Sequence, residues 1–367
     1  MKSSSGSLCW RRLYTDASIF MALDDMRALP PRISEAISRL DKAMILAGAP
    51  GQERAELIHH LIAHIQTNHF TPRPQHHQPK RFCHEITHKH TFLPSSRHEV
   101  DCLTSEPSLA SFRKNLCKRP FVIRRYASSW PALQEHSWNS VDYMRSVAGP
   151  SRIVPVEIGS DYTTEDWSQE LMSWTEFITH LCPSEGSQSR STVLYLAQHD
   201  LMKQFPALRD DIAVPDYVYA CPPTPDNYPQ YKPPQNEEEL VLNVWLGPKD
   251  TVSPAHTDPF YNAYVQVVGY KTVWLAPPSV NSFMNPFSDS SPSTHPAANT
   301  TNPMMANTSK VDVFAIEEAF KGSSFEKHVV PVASRVTLGP GDLLFFPPGW
   351  WHGMKSETTS FSISMWF

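Results

Sequence analysis

A chain of 367 residues with a formal net charge of −5 is long enough for one large domain with a smaller companion. The charge is uneven: residues 1–98 carry 13 Lys+Arg against 8 Asp+Glu, and residues 99–367 carry 19 against 29. An acidic larger part disfavours nucleic acid and anionic lipid as partners and is compatible with a basic substrate, although surface acidity of this size is also ordinary.

No apolar run approaches the roughly 20 residues that a membrane span requires. Residues 1–12 lack the apolar stretch of a secretory leader, so none is expected. Six scattered cysteines without a C-x-x-C pair fit free thiols in a reducing compartment. Asn299-Thr300-Thr301 and Asn307-Thr308-Ser309 match glycosylation sequons, and without a leader both read as chance. Nucleus and cytoplasm both stay open, since Lys80-Arg81 is too short to mark a nuclear signal.

In chain order, residues 14–69 read as helical. Ile33, Ile37, Leu40 and Met44 recur at helical spacing, Gly48 with Pro50-Gly51 stops that run, and Leu57, Leu61, Ile62 and Ile65 repeat it. Residues 1–70 are expected to form a small helical region, an interaction or homodimerisation element without chemistry of its own. Residues 71–100 are rich in Pro, His and basic residues, and periodicity vanishes, so a mobile linker is expected. Cys83-His84, His88 and His90 suggest zinc, but their spacing matches no standard finger and a solvated linker is the better reading.

From residue 101 the chain reads as globular. Helices are expected over 108–116 and 174–181, and strands over 119–124, 153–158, 192–197 and 239–246. Residues 221–236 are a Pro-rich surface loop. Residues 263–268 and 271–276 read as a hairpin around Gly269-Tyr270. Residues 285–310, poor in apolar side chains, read as a long mobile insertion. Residues 335–338 and 343–346 flank the turn Gly339-Pro340-Gly341-Asp342. In residues 360–367, Ser362, Ser364 and Trp366 alternate with Phe361, Ile363, Met365 and Phe367, one row inside a barrel and the other packed outward. Many short strands with Gly/Pro turns predict a mainly β fold, a barrel or double-sheet jelly roll with surrounding helices.

His256-Thr257-Asp258 puts an imidazole and a carboxylate two residues apart where a strand ends. His352, in Pro347-Pro348-Gly349-Trp350-Trp351-His352, supplies a second imidazole. Two imidazoles and one carboxylate suit non-haem Fe(II) and leave positions open for cosubstrate and oxygen. Lys271 opens a later strand, where an inward ammonium would pair with the distal carboxylate of a chelating 2-oxo acid. Taken alone, Lys271 would read as an exposed strand-end lysine. Ser253 and Asn262 flank the motif and could donate to the same ligand, or serve turns around Pro254 and Pro259.

These residues carry a resemblance. The runs Thr251-Val252-Ser253-Pro254-Ala255-His256-Thr257-Asp258, Gln266-Val267-Val268-Gly269-Tyr270-Lys271 and Gly341-Asp342-Leu343-Leu344-Phe345-Phe346-Pro347, with Trp351-His352, resemble JmjC-domain oxygenases, within them a small hydroxylase branch. The likeness covers about residues 101–367, with its core about 240–367. It implies a cupin-like double-stranded β-helix that holds Fe(II) through His256, Asp258 and His352. It further implies 2-oxoglutarate paired with Lys271, O2 as oxidant, and Tyr195, Ser253, Asn262 and Trp366 lining the cosubstrate. Glu157 and Trp245 are similar to substrate-pocket residues of the family, and Tyr162 is a weaker candidate. A carboxylate and an indole face would hold a guanidinium. Without the resemblance, Glu157 reads as a strand-edge charge and Trp245 as a core aromatic.

H-x-D is more typical of the family's hydroxylases and H-x-E of its demethylases. The resemblance therefore implies hydroxylation of an arginine side chain in a protein or peptide substrate. A methyl-lysine demethylase and a catalytically silent cupin-like binding protein are the alternatives. A zinc hydrolase would leave Lys271 without a role.

Overall fold

The computed structural model describes residues 5–71, 80–82, 95–159, 161–164, 167–182, 192–287 and 306–367. Three helices open it: α1 (Ser5–Arg27), α2 (Ile33–Ala47) and α3 (Arg54–His69). Ile37, Leu40 and Met44 of α2 pack against Ile19 and Ala22 of α1 and Ile58, Ile62 and Ile65 of α3. Gly48 ends α2 in the left-handed conformation, its N–H returning to Ala43 and Met44. Two details depart from the sequence reading. The first helix starts at Ser5, because apolar residues surround it: Ile19 and Ala22 face inward while Trp10, Leu13 and Phe20 are exposed, so no stripe marks it. In α3, Ile58 takes the buried position and Leu57 is exposed.

The helices are joined to the rest by a buried polar cluster. Asp41 of α2, fully buried, accepts from Arg152 Nε (3.0 Å) and Nη2 (2.8 Å), from the Ile153 N–H (2.9 Å) and from Gln204 Nε2 (2.8 Å). Gln204 Nε2 also donates to the Ile153 carbonyl. Every polar atom of the carboxylate is thereby used, as burial demands.

Fourteen strands follow among the described residues: β1 (His98–Glu99), β2 (Cys102–Leu103), β3 (Phe121–Ile123), β4 (Ile153–Ile158), β5 (Ser168–Ser173), β6 (Leu194–His199), β7 (Val241–Gly247), β8 (Val252–Thr257), β9 (Asn262–Val268), β10 (Lys271–Ala276), β11 (Ser334–Leu338), β12 (Leu343–Phe346), β13 (Trp351–Ser356) and β14 (Ser360–Trp366). They form a five-stranded sheet, β1-β11-β10-β13-β8, and a nine-stranded sheet, β2-β3-β12-β9-β14-β7-β6-β4-β5. Val273, Leu275, Val336 and Leu338 from the first meet Tyr264, Leu344 and Phe346 from the second in one cluster between the sheets. The other face of the larger sheet, with Val265, Phe345, Phe361, Ile363 and Met365, packs on Phe112, Trp138, Trp174 and Phe177. Behind the smaller sheet Trp274 and Trp351 pack on Val313 and Phe325. This is the expected jelly roll, with residues 360–367 alternating as their sequence foretold.

The turn at Gly269-Tyr270 does not close a hairpin. β9 pairs with β12 and β14, whereas β10 pairs with β11 and β13, so the chain crosses from one sheet to the other there. Gly269 has φ 71°, and a Cβ on it would lie 2.0 Å from the Thr359 carbonyl oxygen. Only glycine permits both the conformation and the approach.

Within residues 71–100, where a mobile linker is expected, the described residues 80–82 and 95–100 are docked on the fold. Phe82 is buried in the main core, and the Val141 N–H donates to the Lys80 carbonyl. Trp274 donates to the Ser95 carbonyl, and β1 pairs with β11. An apolar ring and open edge positions gave these residues places to dock. Cys83, His84, His88 and His90 lie outside the described residues. The expected insertion at 285–310 is anchored at both ends: Pro286 pairs with Ser309, the Phe287 N–H donates to Thr308 and the Lys310 N–H to Asn285. Residues 288–305 lie outside the described part.

Candidate metal centre

β13 and β8 lie side by side, with His352 opposite His256 and Met354 opposite Ser253. Pro254 and Ala255 therefore share the single partner Gly353, a β-bulge. Positions 253 and 256, three apart, would face opposite ways on a regular strand. With the bulge both turn into the barrel, while Ala255 joins the cluster behind the sheet. Asp258 follows the end of β8, its carbonyl accepting from the Gly349 N–H at 2.8 Å, which ties it to the turn before β13.

One ligand atom each from His256, Asp258 and His352 lies within 4.8 Å of the others. Nδ1 of His256 is 2.8 Å from the Pro254 carbonyl, and Nδ1 of His352 is 3.1 Å from that of Trp350. A carbonyl only accepts, so each Nδ1 carries the proton and each Nε2 presents a lone pair toward Asp258, at 3.9 and 3.4 Å. Burial, then the neighbouring His352, pushes the His256 pKa down to about 4. Burial would raise the Asp258 carboxyl, but a proton or a cation held at Nε2 of His352 and His256 outweighs it and holds it below its ordinary range. Neutral imidazole and ionised carboxylate are the forms that bind a cation. His352 is 2 % exposed, His256 15 % and Asp258 12 %, so approach is from the β8 side. This donor set fits Fe(II) with positions left open.

Behind the triad, Lys271 is 1 % exposed and its ammonium faces the rings of Tyr264 (5.8 Å) and Tyr195 (5.9 Å). With no carboxylate beside it among the described residues, burial pulls its pKa down to about 7. Asn243, Asn262 and Trp366 line the same inner rows of β7, β9 and β14. Asn243 Nδ2, Asn262 Oδ1 and Trp366 Nε1 are buried without a hydrogen-bond partner. Ser253 bonds to Tyr195, whose hydroxyl burial pushes well up. A buried cation among unused polar groups is a fit for a small polar anion, and a dicarboxylate would satisfy it.

On the open side, Glu157 of β4 pairs across to Tyr195 of β6, and the Tyr195 ring lies 6.2 Å from that of Trp245. Trp245 Nε1 donates to Ser364. Burial raises the Glu157 carboxyl, and a hydrogen bond from Trp167 opposes it. The Tyr162 hydroxyl is 3.4 Å from that of Thr308, and burial raises its pKa to about 12. The triad, the group around Lys271 and the wall of Glu157, Trp245 and Tyr162 thus adjoin.

Three neighbours escaped the sequence reading. Tyr264 shares strand parity with Asn262, a signal that was available. Trp167 contacts Glu157 from ten residues away in sequence, and Thr308 reaches Tyr162 across the fold. No spacing rule marks either.

A family model described as a cupin-like domain matches residues 110–367. The chain is 32 % identical over 370 residues to lysine-specific demethylase 8 of Danio rerio, covering 98 % of this chain and 81 % of that protein. It is 34 % identical over 268 residues to Jumonji C domain-containing protein 5 of Drosophila melanogaster, covering 71 % and 58 %. The human bifunctional peptidase and (3S)-lysyl hydroxylase JMJD7 is 25 % identical over 277 residues, covering 70 % and 79 %.

Proposed function

Because the chain belongs to the cupin-like family of JmjC oxygenases, we propose that this 2-oxoglutarate-dependent dioxygenase hydroxylates an arginine side chain of a protein substrate. The observation that carries the arginine reading is the half-buried Glu157 carboxylate beside the Tyr195 and Trp245 rings, on the open side of the triad. An ionised carboxylate and an aromatic face suit a planar guanidinium, which forks onto one and stacks on the other. The lysyl hydroxylase among the relatives supports side-chain hydroxylation as a chemistry of this scaffold.

In this reading His256, Asp258 and His352 hold Fe(II), and Lys271 takes the distal carboxylate of 2-oxoglutarate. When bound, these supply the oxidation: one atom of O2 enters the substrate C–H bond and the other enters succinate, with release of CO2. The chain's own work is positional. The Pro254 and Trp350 carbonyls hold both imidazoles in the Nε2-ligating tautomer. The two tyrosine rings shield the Lys271 ammonium from water, so its attraction for a carboxylate is strong. Trp167 holds the Glu157 carboxylate ready for the incoming cation. The net acidity of residues 99–367 favours approach of a basic protein segment.

The test is mass spectrometry of arginine and methyl-lysine peptides incubated with the protein, Fe(II), 2-oxoglutarate and air, with His256→Ala as control. One oxygen gained on arginine, absent in the control, is expected. Loss of methyl from lysine instead would replace this reading with the activity named for the Danio rerio relative.

A further inference from the structure

β8 carries His256 and leads directly into Asp258, yet it is the last strand of its sheet. An edge strand breathes unless something covers it. Residues 307–309 cover it: the Thr257 N–H donates to the Asn307 carbonyl at 3.0 Å, the Ser309 N–H donates to the Ala255 carbonyl at 2.7 Å, and His256 bridges to Thr308. In a regular ladder the backbone N–H of residue 307 would return to the Thr257 carbonyl. Here the Asn307 side chain does so instead, Nδ2 donating at 2.7 Å. Thr257, the residue between His256 and Asp258, thus has both backbone groups held by one asparagine. Thr308 is 1 % exposed and Ser309 3 %, with the Ser309 hydroxyl bonded to the Met284 carbonyl, so the covering segment is itself fixed.

We infer that Asn307 is a positioning residue for the metal centre, clamping Thr257 so that His256 and Asp258 keep the spacing one ion needs. The inference rests on the metal-binding reading of the triad. It also gives the second sequon a physical role: the amide nitrogen a glycan would require is engaged on Thr257.

The experiment compares full-length wild type, Asn307→Ala, Asn307→Asp and His256→Ala. Mn(II) affinity is read by the loss of the free-ion paramagnetic resonance signal, and backbone protection of residues 252–258 by hydrogen exchange without metal. Wild type is expected to bind Mn(II) and His256→Ala to lose it. Asn307→Ala should bind roughly tenfold more weakly, in line with loss of groups that orient metal ligands, with faster exchange over 252–258. Asn307→Asp keeps the size and places an acceptor against the Thr257 carbonyl, so it should weaken binding at least as much. Melting curves without metal identify variants that fold, and a folded Asn307→Asp suffices if Asn307→Ala does not fold. Affinity within twofold of wild type in a folded variant overturns the inference, whatever the exchange shows. Absence of Mn(II) binding in wild type would instead overturn the metal reading, and this inference with it.

Discussion

Removing the Asp41 carboxylate is a demanding test of how the N-terminal helices are joined to the barrel. In Asp41→Ala, Arg152, whose side chain is 5 % exposed, keeps its charge and retains the Gln204 carbonyl at 3.0 Å, the Ala148 carbonyl at 3.4 Å and the Phe205 ring at 4.7 Å. The Ile153 N–H loses its acceptor as well. Breaking a buried pair from one side typically costs 3–5 kcal/mol, and the remaining carbonyls place this site at about 3 kcal/mol. The pair itself should matter less than its breakage. Replacing both partners by apolar residues of similar volume, Asp41→Leu with Arg152→Met, should recover all but about 1 kcal/mol. Urea unfolding of the full chain, followed by tryptophan fluorescence and by circular dichroism, measures both. A loss below about 1 kcal/mol in Asp41→Ala, or a double variant as unstable as the single, would refute the reasoning.

Other expectations concern the site. The Lys271 pKa is lowered from 10.5 to about 7, so between those values the unfolded chain holds the extra proton and stability without ligand rises with pH, the penalty being complete below about 7. Binding a dicarboxylate needs the ammonium, so calorimetric affinity for 2-oxoglutarate with Mn(II) should weaken roughly tenfold or more from about pH 6.5 to about pH 8.5, with proton uptake at the higher value; a flat profile in Lys271→Met would assign it. Glu157→Gln should lower kcat/KM for an arginine peptide by roughly tenfold to a hundredfold while leaving Mn(II) and 2-oxoglutarate binding unchanged. Gly269→Ala sets a methyl group against the Thr359 carbonyl at φ 71°, and its unfolding midpoint should report a loss of at least about 3 kcal/mol.

The barrel and its triad were legible because their signals are local. Alternation in residues 360–367 reports two packed faces, and His256-x-Asp258 reports a strand end. What the sequence hid depends on partners distant along the chain. The Gly269-Tyr270 turn looks the same whether its strands pair with each other or with others, and only the pairing of β9 and β10 decides. The bulge opposite Gly353 shifts parity between Ser253 and His256 without a residue to announce it. Asn307 looked like an unused sequon because its partner, Thr257, lies fifty residues earlier.

The paired ends of the excursion at 287 and 306 have a practical meaning. Since Pro286 is held to Ser309 and Asn285 to Lys310, the meeting of the two ends does not depend on what is spliced between them. Each doubling of the intervening length adds only about 0.6 kcal/mol of closure entropy. A fluorescent or affinity-tag cassette inserted there would hang from the segment that borders His256, close enough to report on occupancy of the centre, while the strands that build the centre keep their own pairings.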